Sequence, residues 1–180
     1  LEGSLYTLDL TAIDAGTTAV QQWLIDWGDG TTSTPAGDAT EATHVFADGL
    51  GTFTITASAS DESGSYSAGS VTVTVANVAP TLKNILTSTI ELGQTYVLNL
   101  EVVEPGEDEI TGWSIDWGDG NVEPVTGNPT SVEHSYAAVD TYTITASATD
   151  EDGTHTAGSL IVVVATPGTV PTVTVSASQP

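Results

Sequence analysis

The tetrapeptide Trp-Gly-Asp-Gly stands at Trp27 to Gly30 and returns at Trp117 to Gly120, 90 positions further on. Tyr6 and Tyr96, Trp23 and Trp113, Ile25 and Ile115, and His44 and His134 keep the same spacing. Phe53-Thr-Ile-Thr-Ala-Ser-Ala recurs as Tyr142-Thr-Ile-Thr-Ala-Ser-Ala after 89 positions, so one residue is lost between His134 and Tyr142. Solenoid and propeller units run to roughly 20 to 50 residues. A period near 90 is too long for them and long enough for each unit to close its own core. The repeat therefore predicts two self-contained domains in series.

Within the second repeat the apolar residues alternate. Thr81 to Leu86 reads as a first strand, and Tyr96, Leu98, Leu100 and Val102 form the inward face of a second. Trp113, Ile115 and Trp117 share one face of a third strand, with Ser114 and Asp116 on the other. Gly-Asp-Gly then makes a tight turn, its glycines supplying positive φ and Asp119 bonding back to nearby amides. A variable loop leads to a short strand over Val132 to Tyr136. Tyr142, Ile144, Ala146 and Ala148 alternate with Thr143, Thr145 and Ser147, and Leu160, Val162 and Val164 close the unit. The first repeat follows the same plan from Tyr6, Leu8 and Leu10 to Val71, Val73 and Val75, without an initial strand of its own. Pro171-Thr-Val-Thr-Val175 resembles Pro80-Thr-Leu-Lys-Asn-Ile85 and reads as the opening strand of a third repeat. The expected organisation is residues 1–76 and 77–165 as β-sandwiches, with 166–180 as linker and strand.

Charge excludes whole classes of partner. Twenty-four acidic residues face a single basic one, Lys83, for a formal charge of −23. Such a surface repels phosphate backbones and anionic lipid and attracts cations. Binding to nucleic acid and insertion into a membrane are not expected, and no apolar run reaches the roughly 18 residues of a membrane span. With no cysteine, disulfides and thiolate metal sites are excluded.

The signature of Trp, then Trp-Gly-Asp-Gly, then His-x-Phe/Tyr, then Gly-x-Phe, then Asp-x-x-Gly resembles the polycystic kidney disease (PKD) repeat, an immunoglobulin-like β-sandwich. It is carried by Trp23, Trp27 to Gly30, His44 with Phe46, Gly51 with Phe53, and Asp61 with Gly64. The second copy carries Trp113, Trp117 to Gly120, His134 with Tyr136, Tyr142, and Asp150 with Gly153. Two departures are Asp140, where the family often has Gly, and Glu104-Pro-Gly-Glu and Asp14-Ala-Gly-Thr, where it often has Asp-Pro-Asp-Gly. The resemblance implies an all-β chain of tandem sandwiches from a bacterial or archaeal surface or extracellular protein. It also implies no catalysis, and Ca2+ near the entry pole of some members.

In such a sandwich the loop between the second and third strands, the loop between the last two, and the entering linker lie at one end. In repeat two these segments carry Glu104, Glu107, Asp108 and Glu109, then Asp150, Glu151 and Asp152, and Asn77. Their oxygens suit the shell of about 6 to 8 hard ligands that Ca2+ takes. Repeat one offers Asp14, Asp61 and Glu62. The competing reading is that these are solvated turn acids. Asp26, Asp29, Asp116 and Asp119 flank hairpin turns and make a poor glycosidase pair. His44 and His134, each beside an aromatic residue, read as hydrogen-bonded structural groups.

The expected function is a non-catalytic, Ca2+-stiffened repeat of an extracellular filament, surface layer, stalk or adhesin. The alternative is an accessory module of a secreted enzyme, with polysaccharide or protein as partner. Other copies of the chain or neighbouring repeats in the same chain are expected partners, through residues 171–178, where continuous chain in a longer array is preferred to a strand donated between subunits, and through Ile161 and Val163, which place two apolar side chains on the outer face of the last strand.

Overall fold

The computed structural model describes residues 1–13, 19–83 and 86–168, all of it strand, turn or loop with no helix. The chain divides into two compact units, Leu1–Val78 with Pro105–Asp108, and Ala79–Glu104 with Glu109–Pro180. Asp14 and the 171–178 segment lie outside the described residues.

The first unit contains β1 (Leu5–Asp9), β2 (Gln22–Asp26), β3 (Thr32–Ser33), β4 (Glu41–Val45), β5 (Gly51–Asp61) and β6 (Gly64–Val75). β1 pairs with β4, and a second sheet runs β3-β2-β5-β6. Alternation brings Trp23, Ile25 and Trp27 from β2 and its exit, Ile55 from β5 and Val75 from β6 into one buried cluster.

The second unit contains β7 (Thr81–Leu82), β8 (Ser88–Glu91), β9 (Thr95–Asn99), β10 (Val102–Val103), β11 (Gly112–Asp116), β12 (Val122–Thr126), β13 (Ser131–Ser135), β14 (Asp140–Thr149) and β15 (Thr154–Ala165). Its large sheet runs β12-β11-β14-β15-β8, with β7 on β10 and β9 on β13. Where alternation predicts one strand over Thr81 to Leu86, the strand stops at Leu82. Ser88–Glu91 joins the other sheet, parallel to β15. A shared bulge marks the equivalent long hairpins, at Ala57/Ser58 and at Ala146/Ser147.

Both glycines of each Trp-Gly-Asp-Gly have positive φ, 82° and 91° at Gly28 and Gly30, and 78° and 92° at Gly118 and Gly120. Their surroundings differ. A Cβ on Gly28 would lie 2.7 Å from the Thr54 carbonyl oxygen, and one on Gly118 still closer to that of Thr143, while Gly30 and Gly120 have open space. The first glycine lets the turn press against the neighbouring strand so that the preceding Trp seats fully; Trp27 and Trp117 are both completely buried.

Gly120→Ala is expected to cost about 1 to 2 kcal/mol, the penalty of a left-handed non-glycine residue. Gly118→Ala should exceed it by at least about 1 kcal/mol, because overpacking adds to the strain. Urea denaturation of both variants measures the difference. Equal losses would show that the close approach to Thr143 contributes nothing.

Candidate metal centre

The Asp of each signature turn is engaged in structure. Asp29 accepts hydrogen bonds from the Thr31 amide and hydroxyl at 2.9 and 2.6 Å, and its second oxygen lies 2.6 Å from His44 Nε2. His44 stacks on Trp27 with ring centres 4.6 Å apart and meets the edge of Phe46 at 4.7 Å. Asp119, His134, Trp117 and Tyr136 repeat the arrangement, with Nε2 to carboxylate at 2.9 Å and stacking at 4.5 Å. Asp26 and Asp116 accept from the Gly28 and Gly118 amides, each at 2.9 Å. These four carboxylates cap turns.

Burial raises the Asp29 and Asp119 carboxyls. Hydrogen bonds from Thr31 and His44 in one case, and from His134 and Asn121 in the other, outweigh it and hold both below the usual carboxylate range. Burial, then the charge of Asp119, pushes the Tyr136 hydroxyl upward, so it stays protonated and donates to the Trp117 carbonyl at 3.2 Å.

A different environment surrounds Glu2. This residue precedes β1 and is completely buried. Its amide donates to the Ala76 carbonyl at 3.1 Å, and its Oε1 accepts from the Val78 amide. Oε2 is buried with no hydrogen-bond partner. Carboxylate oxygens of Asp108 and of Asp48 each come within 4.8 Å of the Glu2 carboxylate. The Pro105–Asp108 segment is held in this unit by the Glu107 amide, which donates to Ala47 at 2.9 Å. A Cβ on Gly106 would meet Glu2 Cδ at 3.1 Å and Asp108 Oδ1 at 3.2 Å. A Cβ on Gly49 would meet the Asn77 backbone at 2.6 Å and press on Glu2 Oε2. The absence of side chains at these two glycines leaves the Glu2 carboxylate room beside Asp108 and beside the Asn77 backbone.

An ionised carboxylate buried without a partner is expensive. The one Lys of the chain, Lys83, is bound to Glu101 at 2.7 Å, so no Lys or Arg is free to neutralise Glu2. The donor set is oxygen only, which suits a hard cation.

The predicted ligands distribute as follows. Asn77 and Asp108 lie in the first unit, close to Glu2; Glu104, Asp150, Glu151 and Asp152 belong to the second. Asp61 ends β5 and Glu62 lies in the turn before β6, whereas Asn77 follows the other end of β6. Twelve strand residues span about 40 Å, so those two acids stand apart from Glu2, and Asp14, predicted as their companion, lies outside the described residues. Asp61 caps its own turn, accepting from the Ser63 and Gly64 amides at 2.7 and 3.1 Å.

In the second unit Glu151 accepts from the Glu109 amide at 3.0 Å, tying the β10–β11 loop to the β14–β15 turn. Asp150 Oδ1 accepts from the Asp152 and Gly153 amides at 3.0 and 2.9 Å, while Oδ2 is buried without a hydrogen-bond partner. His155 Nε2 lies 3.9 Å from Asp150 Oδ1. Glu104 is half-buried and engaged within its surroundings.

Sequence reasoning missed Glu2 and Asp48 because neither belongs to an acidic run. A signal existed: Glu2 stands 90 positions before Leu92, which packs against the core of the second unit. A carboxylate at an apolar repeat position is the mark of a buried charge.

Residues 77–165 match the family model described as the PKD domain. No curated protein matches the chain. Among solved structures, fibronectin(III)-like modules of CbhA from Clostridium thermocellum align at 18% identity and a TM-score of 0.45, covering 97% of this chain and 93% of that one. The FN1–FN3 domains of chicken CNTN1 align at 9% identity and a TM-score of 0.41, covering 92% and 63%. The PKD match and the all-β architecture together describe a module of a generally non-catalytic kind.

A lowered folded-state pKa means stability that is present above the unfolded aspartate value of about 3.9 and lost as pH falls through the folded one. Asp119→Asn should therefore cost about 1 to 2 kcal/mol near neutral pH. Its deficit against the unsubstituted protein should shrink below about pH 4 in denaturant titrations. A deficit unchanged in strong acid would assign the loss to shape and not to charge.

Proposed function

We propose that this chain is a non-catalytic spacer of tandem sandwich modules in an extracellular filament, surface layer, stalk or adhesin, stiffened by Ca2+ bound at Glu2. The observation that carries the metal reading is the Glu2 carboxylate, fully buried with one oxygen lacking a hydrogen-bond partner, in a chain whose single Lys is already engaged. Asp108, Asp48 and oxygen atoms of the Asn77 segment would complete the shell. Ca2+ fits this loop-built set better than Mg2+, which demands a stricter octahedron. The predicted acids Glu104, Asp150, Glu151 and Asp152 would serve the second unit, where Asp150 Oδ2 is the buried oxygen without a hydrogen-bond partner. The turn-capping roles of Asp26, Asp29, Asp116 and Asp119 favour a spacer over a hydrolase. Ile161, 41% exposed on the outer face of β15, with half-buried Val163 beside it, would supply a lateral contact in an assembly.

Cation binding would do more than neutralise one side chain. For an extracellular-type site with a dissociation constant of ~0.1 to 1 mM and a medium holding ~10 mM Ca2+, linkage adds about 1.4 to 2.7 kcal/mol. Against a domain stability of about 5 to 15 kcal/mol this is a sizeable share.

Thermal melting tests it. Ca2+ at ~10 mM should raise the transition by roughly 5 to 15 °C over EDTA at matched ionic strength. Glu2→Gln should melt no lower than the unsubstituted protein in EDTA and should lose most of the Ca2+ shift. An equal rise in matched NaCl would reduce the effect to screening of the −23 charge and contradict a specific site.

A further inference from the structure

The two signature clusters share a plan but differ at three repeat positions. Where the first unit has Ser33, Phe46 and Phe53, the second has Glu123, Tyr136 and Tyr142. All three changes surround the buried indole, and all three bear on what happens when it is oxidised.

Trp27 Nε1 donates to the Ser33 hydroxyl at 2.8 Å, whereas Trp117 Nε1 donates to Glu123 Oε2 at 3.0 Å. An indole that has lost an electron becomes acidic at Nε1. A carboxylate takes that proton; a neutral hydroxyl is a far weaker acceptor. Of two indoles that are both completely buried, the second is therefore the easier to oxidise.

From Trp117 an unbroken series of rings leads outward. His134 stacks on the indole at 4.5 Å, Tyr136 meets His134 edge-on at 4.7 Å, and Tyr142 stacks on Tyr136 at 4.2 Å. Rings this close are in direct contact, so an electron passes between neighbours by tunnelling. The first unit has the same series in Trp27, His44, Phe46 and Phe53, spaced 4.6 to 4.7 Å apart. Its outer two rings are phenyl groups, with no O–H to lose.

The two phenols differ in their surroundings. Tyr136 is buried and donates to the Trp117 carbonyl, and burial, then the charge of Asp119, makes its proton hard to remove. It serves as a bridge. Tyr142 is half-buried, and its hydroxyl donates at 3.1 Å to the Ala138 carbonyl in an exposed position, where water accepts a proton. Tyr96 meets the edge of Trp117 at 6.5 Å, but Tyr6 holds the same place in the first unit, so it does not distinguish the two. The chain has neither Cys nor Met, the side chains that ordinarily take up oxidants.

We propose that Trp117, His134, Tyr136 and Tyr142 form a relay that moves oxidising equivalents from the core of the second unit to a surface phenol. Its substrates are one-electron oxidants of the oxygen-radical class. The oxidant takes one electron from Trp117, and the Nε1 proton moves to Glu123, leaving a neutral indolyl radical. Tyr142 then supplies an electron through Tyr136 and His134 and loses its O–H proton to water. Glu123 returns its proton to Nε1. In sum, one electron passes from Tyr142 to the oxidant and one proton to water, leaving a phenoxyl radical on Tyr142 and an intact indole. A hydrogen-atom donor in solution, such as a thiol or ascorbate, restores the phenol. The relay protects the ring on which the packing of this unit depends.

The first unit supplies the control within the same chain. Excitation of the full chain at the red edge of the indole band, with a cobalt(III) ammine as irreversible electron acceptor, generates indolyl radicals in place. Spin trapping and peptide mass spectrometry then locate the radical and the lasting damage. Trap adduct should concentrate on Tyr142, with severalfold less oxidation product on Trp117 than on Trp27. Tyr136→Phe should remove most of the Tyr142 adduct, and both Tyr136→Phe and Tyr142→Phe should raise Trp117 damage to the Trp27 level. Phe46 and Phe53 show that the fold accepts Phe at these places. The triple variant Ser33→Glu, Phe46→Tyr, Phe53→Tyr should in turn protect Trp27. Equal damage to Trp27 and Trp117 in the unsubstituted chain would overturn the proposal. So would Trp117 damage unchanged in both Phe variants, or Tyr142 adduct undiminished in Tyr136→Phe.

Discussion

Each unit hangs on one packed contact: the indole just past the end of β2 or β11, buried beneath a turn with no side chain in the way. Trp27 and Trp117 seat because Gly28 and Gly118 bring the backbone against Thr54 and Thr143. The following Asp returns the chain by accepting from its own turn, and a His lid, stacked on the indole, bonds to that Asp. The indole N–H is met as well, by Ser33 at 2.8 Å in one unit and Glu123 at 3.0 Å in the other. Burying an aromatic of this size contributes several kcal/mol to a domain, and removing one from a core typically costs about 3 to 5. The turn and the lid are what make that burial complete.

The second organising constraint is the near absence of positive charge. A chain with one Lys and 24 acids has almost no internal means of compensating a buried carboxylate. Exposed acids on turns cost little, because water and salt screen them. Glu2 is different, being buried, tied to an amide donor, and close to the carboxylates of Asp48 and Asp108. In the proposed reading, the counter-charge for this carboxylate is an external cation.

Much of the fold was legible because it obeys period two. Trp23, Ile25 and Trp27, and Tyr142 through Ala148, alternate without interruption, and the structure makes strands of them. The interrupted strands were harder. β12 contains Pro124 and a Glu123 that turns to an indole, so it reads as a loop; β8 appears where the chain leaves one sheet for the other after Leu82. The candidate site was legible only in part. Asp108 and Asn77 stand out by position, whereas Glu2 is an isolated acid recognised by comparison with Leu92 in the other repeat. Asp61 and Glu62, predicted with Asp14 as a set of their own, stand at the other end of β6 from Asn77 and so form no part of the surroundings of Glu2. Proximity in the fold, not acid density along the chain, decides which oxygens can converge.

The central claim is that the buried Glu2 carboxylate is matched by a hard cation from solution. Isothermal titration calorimetry of the metal-free chain with Ca2+, at neutral pH and constant ionic strength, tests it most directly. The account predicts saturable binding with a dissociation constant of ~0.1 to 1 mM that weakens markedly in Glu2→Gln. Heat indistinguishable from dilution, or an isotherm identical in the variant, would contradict it.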